Sequence, residues 1–328
     1  MEKNLVLDTT AFLVDSPEYV KINNSKIEEL AEKFSKEKLE IPAWKESVYL
    51  TQTDDKFIDF ILLVDSINFA FTDFQTKEKY STPYNGKECK GAFGMTACIK
   101  RAIEQGTPLL DGKVLKDITE KEMKEIFAGN IEIPMLNERT AIFREVGEIL
   151  CAKYDGRFSN IVKASNGKLF DSGSGLVERL TTEFDSFNDS SLYLGRLVLF
   201  DKRAQLAAGM IYGRFLSEGK KMFEDVDELT IFADYVLPKG LRDLGVLEYN
   251  HHLTKKVDSQ QIIPAGSREE LEIRASTIHA AKRITDKINE QKPEGEKINA
   301  LHMDYRLWNA SREANKGSPH HLTPTINY

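Results

Sequence analysis

Three aspartates stand in apolar company. Asp65 lies within Ile61-Leu-Leu-Val-Asp-Ser-Ile-Asn-Phe-Ala-Phe71, Asp234 within Leu229-Thr-Ile-Phe-Ala-Asp-Tyr-Val-Leu-Pro238, and Asp304 within Leu301-His-Met-Asp-Tyr-Arg-Leu-Trp308. On a helix, Leu301, Asp304, Tyr305 and Trp308 fall at i, i+3, i+4 and i+7, so the carboxylate shares the face of two aromatics. A buried carboxylate without partners is costly or keeps its proton. Each of the three must be paired, cap a helix or line a pocket. Arg139, Arg203 and Arg274 are the candidate partners. Asp65, with Ser66 and Asn68 beside it, reads as locally hydrogen-bonded. Asp234 and Asp304 stand next to Phe, Tyr or Trp, which suits a flat, partly polar ligand: rings stack on its faces and carboxylates accept from N–H groups at its edge. Paired carboxylates are also what glycosidic bond cleavage uses to stabilise an oxocarbenium-like transition state.

A basic set supplies the complement. Asp201-Lys202-Arg203-Ala204-Gln205 follows Leu197–Phe200, where a helix should begin. A helix N-terminus carrying Lys202 and Arg203 is a ready anion site; the alternative is a solvated helix end capped by Asp201. His320-His321 lack a third ligand at metal spacing, so His321 reads as a phosphate contact or a structural hydrogen bond, and no metal is expected. His251-His252 read as loop, Trp44 as a core anchor, and Ser172–Gly175 as a loop ahead of a helix. The three cysteines, Cys89, Cys98 and Cys151, form no CxxC or Cys/His pattern, which argues against a disulfide framework or structural zinc.

Helices must position these groups. The spacing predicts one after a Ser25-x-x-Glu28 capping box, with Ile27, Leu30, Ala31 and Phe34 on one face. A second contains Ile142, Phe143, Val146, Ile149 and Leu150. Further helices are predicted over about 202–216, over about 268–288 after a second capping box at Ser267-x-x-Glu270, and over about 298–312. Asn85-Gly86 is a hairpin turn, giving one small antiparallel element with Pro83 at its edge. The expected fold is mainly α, a single domain over 1–328. The chain has 328 residues, 41% hydrophobic and 30% charged, with a formal net charge of −7. That charge, with no basic stripe, disfavours polymeric nucleic acid as a partner. The longest apolar run is too short for a bilayer, and the N-terminus Met1–Asn4 lacks a leader's n-region, so a reducing, cytoplasmic compartment and no membrane are expected.

Five segments together, Phe60–Phe71, Phe200–Gln205, Phe232–Pro238, Glu270–Arg274 and Met303–Trp308, resemble the queuosine salvage protein family, whose members are queuosine 5′-phosphate N-glycosylase/hydrolases. The likeness runs in order from about Trp44 to Ile326-Asn327-Tyr328. It implies a mainly helical fold similar to DNA glycosylases, and hydrolysis of queuosine 5′-monophosphate to queuine and ribose 5-phosphate, with no metal or organic cofactor. It implies Asp234 as nucleophile or transition-state stabiliser. Substrate would be held by Phe232, Ala233, Asp304, Trp308 and Asn309, with Phe232 and Asp304 on the base. The substrate and the product queuine would be the small-molecule partners of a monomer. Two positions depart from the family pattern: Val48 and Asn309 stand where members can carry His and Asp, which bears on individual base contacts.

The residues themselves fit this chemistry. Queuine is a 7-deazaguanine with no N7 to protonate, so catalysis must lean on stabilising the ribosyl cation and on hydrogen bonds to the departing base. A carboxylate in low dielectric does the first. Asp304 would accept from the base's N–H edge or pair with queuine's side-chain ammonium, while Lys202 and Arg203 hold the 5′-phosphate. A non-catalytic queuine or nucleotide carrier, and an N-ribosyl hydrolase of another purine-like nucleotide, remain the competing readings.

Overall fold

Helical periodicity and local caps account for most of the architecture. The computed structural model describes residues 4–313 and 317–328; residues 1–3, within the stretch read as lacking a leader, lie outside the described residues. In chain order the elements are α1 (Val6–Asp15), β1 (Val20–Ile22), α2 (Asn24–Ser35), α3 (Asp55–Ser66), β2 (Ser81–Tyr84), β3 (Lys87–Lys90), α4 (Ala92–Glu104), α5 (Gly112–Leu115), α6 (Glu120–Ile126), α7 (Leu136–Lys153), α8 (Phe158–Ala164), α9 (Leu176–Glu183), β4 (Ser190–Tyr193), β5 (Arg196–Leu199), α10 (Lys202–Leu216), α11 (Val236–Asp243), β6 (Leu247–Tyr249), α12 (His251–Asp258), α13 (Arg268–Asn289) and α14 (Ala300–Glu313).

The fold is mainly helical, as expected. In α2, Ile27, Leu30, Ala31 and Phe34 are buried on one face, but the cap is Asn23, whose side chain accepts from the Lys26 N–H, rather than Ser25. Ser267 does cap α13, accepting from Glu270. In α7, Ile142, Phe143, Val146 and Leu150 are buried. Asn85 and Gly86 join β2 to β3 with φ of +48° and +72°, the two left-handed conformations of a type I′ turn. The sequence suggested one antiparallel element; the described residues contain three two-stranded pairs, β1–β6, β2–β3 and β4–β5. His251 and His252 open helix α12 rather than a loop, because Asn250 caps it through the Leu253 N–H. Trp44 is only half-buried, with a left-handed φ of +44°.

Contacts group the chain into two units, each built from discontinuous segments. The second comprises Ala43–Asn188, Leu206–Glu224 and Thr325–Tyr328. Within it α3 is buried almost throughout, and Asp65 accepts from the Asn68 side chain at 2.8 Å. Arg139 is fully buried and donates to the carbonyls of Pro134, Ile67, Phe69 and Ala70.

The first unit comprises Met1–Pro42, Asp189–Gln205 and Asp225–Pro324 and holds every residue of the proposed site. Its core surrounds α13, whose residues from Glu269 to Ile278 are all buried. A helix buried on all sides must satisfy its own polar groups. Glu272 does so by accepting from the backbone N–H groups of Glu18, Tyr19 and Val20 and from Arg268.

Helices α11 and α14 pack against each other at Gly240. A Cβ added there would stand 2.4 Å from the Ser311 Cβ. This contact sets the spacing between the helix that follows Asp234 and the helix that carries Asp304. A helical Gly→Ala change with room to spare gains about 1 kcal/mol; here overpacking reverses the sign by about 1–3 kcal/mol. Gly240→Ala should therefore lower the thermal midpoint, and Ser311→Gly in the same chain should restore part of the loss. A Gly240→Ala protein melting at or above the parent temperature would show that the helices are not held this closely.

Candidate active site

The segment Ile231–Tyr235 belongs to no helix or strand, so side chains must fix its backbone. Three of them do, at three successive residues. The Phe232 N–H donates to Asp304 Oδ2 at 2.9 Å. The Ala233 carbonyl accepts from Arg274 Nε at 3.2 Å. Asp234 fixes itself, its Oδ1 accepting from the Val236 and Leu237 N–H groups at 2.7 and 3.0 Å. Asp234 stands one residue before the N-cap Tyr235 and thereby binds the first two N–H groups of α11, which have no partner within the helix. Its Oδ2 has no hydrogen-bond partner among the described residues and keeps its lone pairs for other work.

Asp304 projects from α14 and is half-buried. Its carboxyl is nevertheless pushed up to about 7, first by desolvation and further by the negative charge of Asp234; the Phe232 N–H and the Lys202 ammonium oppose the shift. Two neighbouring carboxyls thus occupy different environments. One is bound by backbone donors at a helix start, and the other is poised to exchange its proton near neutrality.

Lys202 and Arg203 open α10 and are buried, at 5% and 2% exposure, so the solvated helix end is excluded. Asp201 does not cap it with its side chain. Instead Asp189 Oδ2 accepts the Lys202 N–H at 3.1 Å, while Asp201 adopts a left-handed φ of +50°. Burial, and then the charge of Asp189, raise the Asp201 carboxyl to about 7. Asp189 also forms a bidentate pair with Arg274, at 2.9 Å to Nη1 and 2.6 Å to Nη2. The Arg274 guanidinium lies 3.9 Å from the centre of the Phe200 ring.

His321 is buried, and desolvation pushes it down to about 3, with His320 and Arg274 adding to the shift. Its imidazole is neutral at physiological pH and brings no charge to a phosphate. His320 Nδ1 lies 2.7 Å from the His321 carbonyl oxygen, and its ring sits 4.4 Å from that of Tyr235. Trp308 stacks on Tyr305 at 6.4 Å with 14° between the planes and carries the Arg312 guanidinium 4.7 Å from its ring centre. Trp308 lies on the Asp304 side of α14 at i+4; Asn309, one position on, is turned about 100° further round. The structure thus joins Asp234, Asp304, Phe232, Ala233 and Lys202 through hydrogen bonds and charge, and ties neither Trp308 nor Asn309 to the carboxyls. Asp189 and Tyr235 are the neighbours that sequence reasoning passed over. A cavity of about 540 Å³ also opens in this unit, with Thr230 and Ile231 in its lining but neither Asp234 nor Asp304. No helix among the described residues is long and apolar enough to cross a membrane.

Comparison with known proteins bears on this arrangement. The family model described as queuosine salvage protein matches residues 47–328. Several relatives carry the name queuosine 5′-phosphate N-glycosylase/hydrolase. The Sphaerobacter thermophilus protein is 35% identical over 324 residues, covering 98% of this chain and 97% of its own. The Mus musculus protein is 32% identical over 84% of this chain and 83% of its own. The Nematostella vectensis protein is 32% identical over 87% and 86%.

The Asp304 shift has a defined consequence for stability. Its ordinary value is 3.8 and its folded value about 7. Between them the folded state holds a proton that the unfolded chain has lost, so this group's contribution falls as pH rises through that window, and the cost is fully present above it. Asp304→Asn removes the ionisable group. The variant should gain in melting temperature over the parent at pH 8, and the gain should shrink at pH 5. An equal difference at both values would contradict a desolvated Asp304.

Proposed function

This chain belongs to the queuosine salvage protein family, and from that membership we propose that it hydrolyses the N-glycosidic bond of queuosine 5′-monophosphate, releasing queuine for salvage into tRNA and ribose 5-phosphate. The observation that carries the site assignment is Asp234, a carboxylate held by two backbone N–H groups through one oxygen, with the other unpartnered among the described residues. In the reaction the bond between C1′ and the base nitrogen breaks with its electron pair leaving on the base, which takes up a proton. The hydroxyl of water adds to C1′. The ribosyl group becomes cationic on the way, and an anchored carboxylate facing C1′ stabilises that charge without reorganising.

The other groups fall into place around this centre. Asp304 Oδ2 is bound to Phe232, which leaves Oδ1 for the base's N–H edge or queuine's side-chain ammonium. A cation there would draw the carboxyl to its charged form. Phe232, Ala233 and Trp308 line the base side in this reading, with Asn309 at its margin. Lys202 and Arg203, in the first turn of α10, take the 5′-phosphate. His321 supports the wall as a neutral imidazole. The family match draws on segments of both units, which supports treating the chain as one functional domain. Three free cysteines suit a reducing cytoplasm, and a monomer completes the reading.

Asp234→Asn should lower turnover by about 10³-fold or more while the affinity for the nucleotide, measured by calorimetry, stays within a few-fold. Near-parental turnover would remove Asp234 from the chemistry. Lys202→Ala should raise KM for queuosine 5′-monophosphate and leave unphosphorylated queuosine unaffected; an equal effect on both would reject the phosphate contact.

A further inference from the structure

We propose that Arg274 is a positioning residue for the glycosidic step: anchored by Asp189, it aims the Asp234 carboxylate by gripping the Ala233 carbonyl. The inference rests on the reading of Asp234 as the catalytic carboxylate and adds a residue that acts through it. The 233–234 peptide is planar, so fixing the Ala233 oxygen fixes the plane from which the Asp234 Cα departs. Arg274 Nε holds that oxygen at 3.2 Å. Asp234 is then pinned twice, at its backbone by Arg274 and at Oδ1 by the first turn of α11. Since 231–235 lies in no helix or strand, no ladder hydrogen bonds would hold the peptide if Arg274 let go.

The grip is rigid because Arg274 is itself immobilised. Asp189 binds both Nη atoms, Glu270 Oε1 lies 3.4 Å from Nη1, and Phe200 covers the guanidinium face. The residue is 1% exposed. Only a planar fork can serve Asp189 and a third acceptor at once. A lysine ammonium is a single point and reaches one or the other. The anchor also reaches the phosphate end, because the Asp189 carboxylate that orients Arg274 accepts the Lys202 N–H.

The test is steady-state kinetics on queuosine 5′-monophosphate for Arg274→Lys and Asp189→Asn, singly and with Asp234→Asn, each checked for a cooperative melt. Misplacing a reacting group by an ångström costs about 100-fold. Arg274→Lys should therefore lower kcat by roughly that factor with KM within about threefold. Combined with Asp234→Asn it should lower the residual rate no further, because there is no longer a catalytic carboxylate to aim. A structural role alone would leave a folded variant's kcat intact, or would multiply with Asp234→Asn. Either result overturns the proposal. Asp189→Glu, measured the same way, keeps a negative charge opposite Arg274 while shifting its grip, and carries the same expectation should the other variants not fold. If the parent releases no queuine, or Asp234→Asn turns over normally, the catalytic reading fails; if the parent is active and Asp234→Asn is not, only the positioning claim is at stake.

Discussion

The ion pair between Asp189 and Arg274 is the constraint on which the site depends. Both side chains are almost fully buried, and taking two charges out of water costs several kcal/mol each unless geometry and further hydrogen bonds compensate. Here they do. The pair is bidentate, Arg274 Nε meets the Ala233 carbonyl, Glu270 Oε1 lies near Nη1, and Asp189 collects the Lys202 N–H. The Asp189 carbonyl also accepts from Phe200, closing the base of the β4–β5 hairpin. One pair therefore ties together the start of α10, the irregular segment before α11 and the middle of α13. Removing either partner strands the other charge in the interior, the costlier event by far.

Around that pair the two carboxyls are differentiated by environment rather than by residue type. Asp234 meets donors, and Asp304 meets desolvation and its neighbour's charge. In the proposed reaction, Asp234 would face the ribosyl cation and Asp304 the base. Gly240 keeps the two helices that position them in close contact. Packing, capping and chemistry thus meet in α11 and α14.

Much of this was legible in the sequence. Asp234 and Asp304 stood out because a carboxylate in an apolar run demands an explanation; Lys202-Arg203 read equally as an anion site or a solvated helix end, and only their burial separates the two. The long helices followed from a 3.6-residue period. Asp189 was invisible because Asn188-Asp189-Ser190-Ser191 looks like any polar loop; its partner lies 85 residues away, a relation no local pattern encodes. The β1–β6 pair escaped for the same reason, joining three-residue strands far apart in the sequence. His251-His252 misled because the signal for α12 lies in the capping Asn250, one residue earlier.

The central claim is that this constellation releases a 7-deazapurine base from a nucleoside 5′-monophosphate. Mass spectrometry of the purified protein incubated with queuosine 5′-monophosphate, in the presence of EDTA and beside guanosine 5′-monophosphate, tests it most directly. The account predicts free queuine and ribose 5-phosphate from the first nucleotide and an intact second. Queuosine 5′-monophosphate recovered whole, though bound, would contradict it and make the protein a carrier.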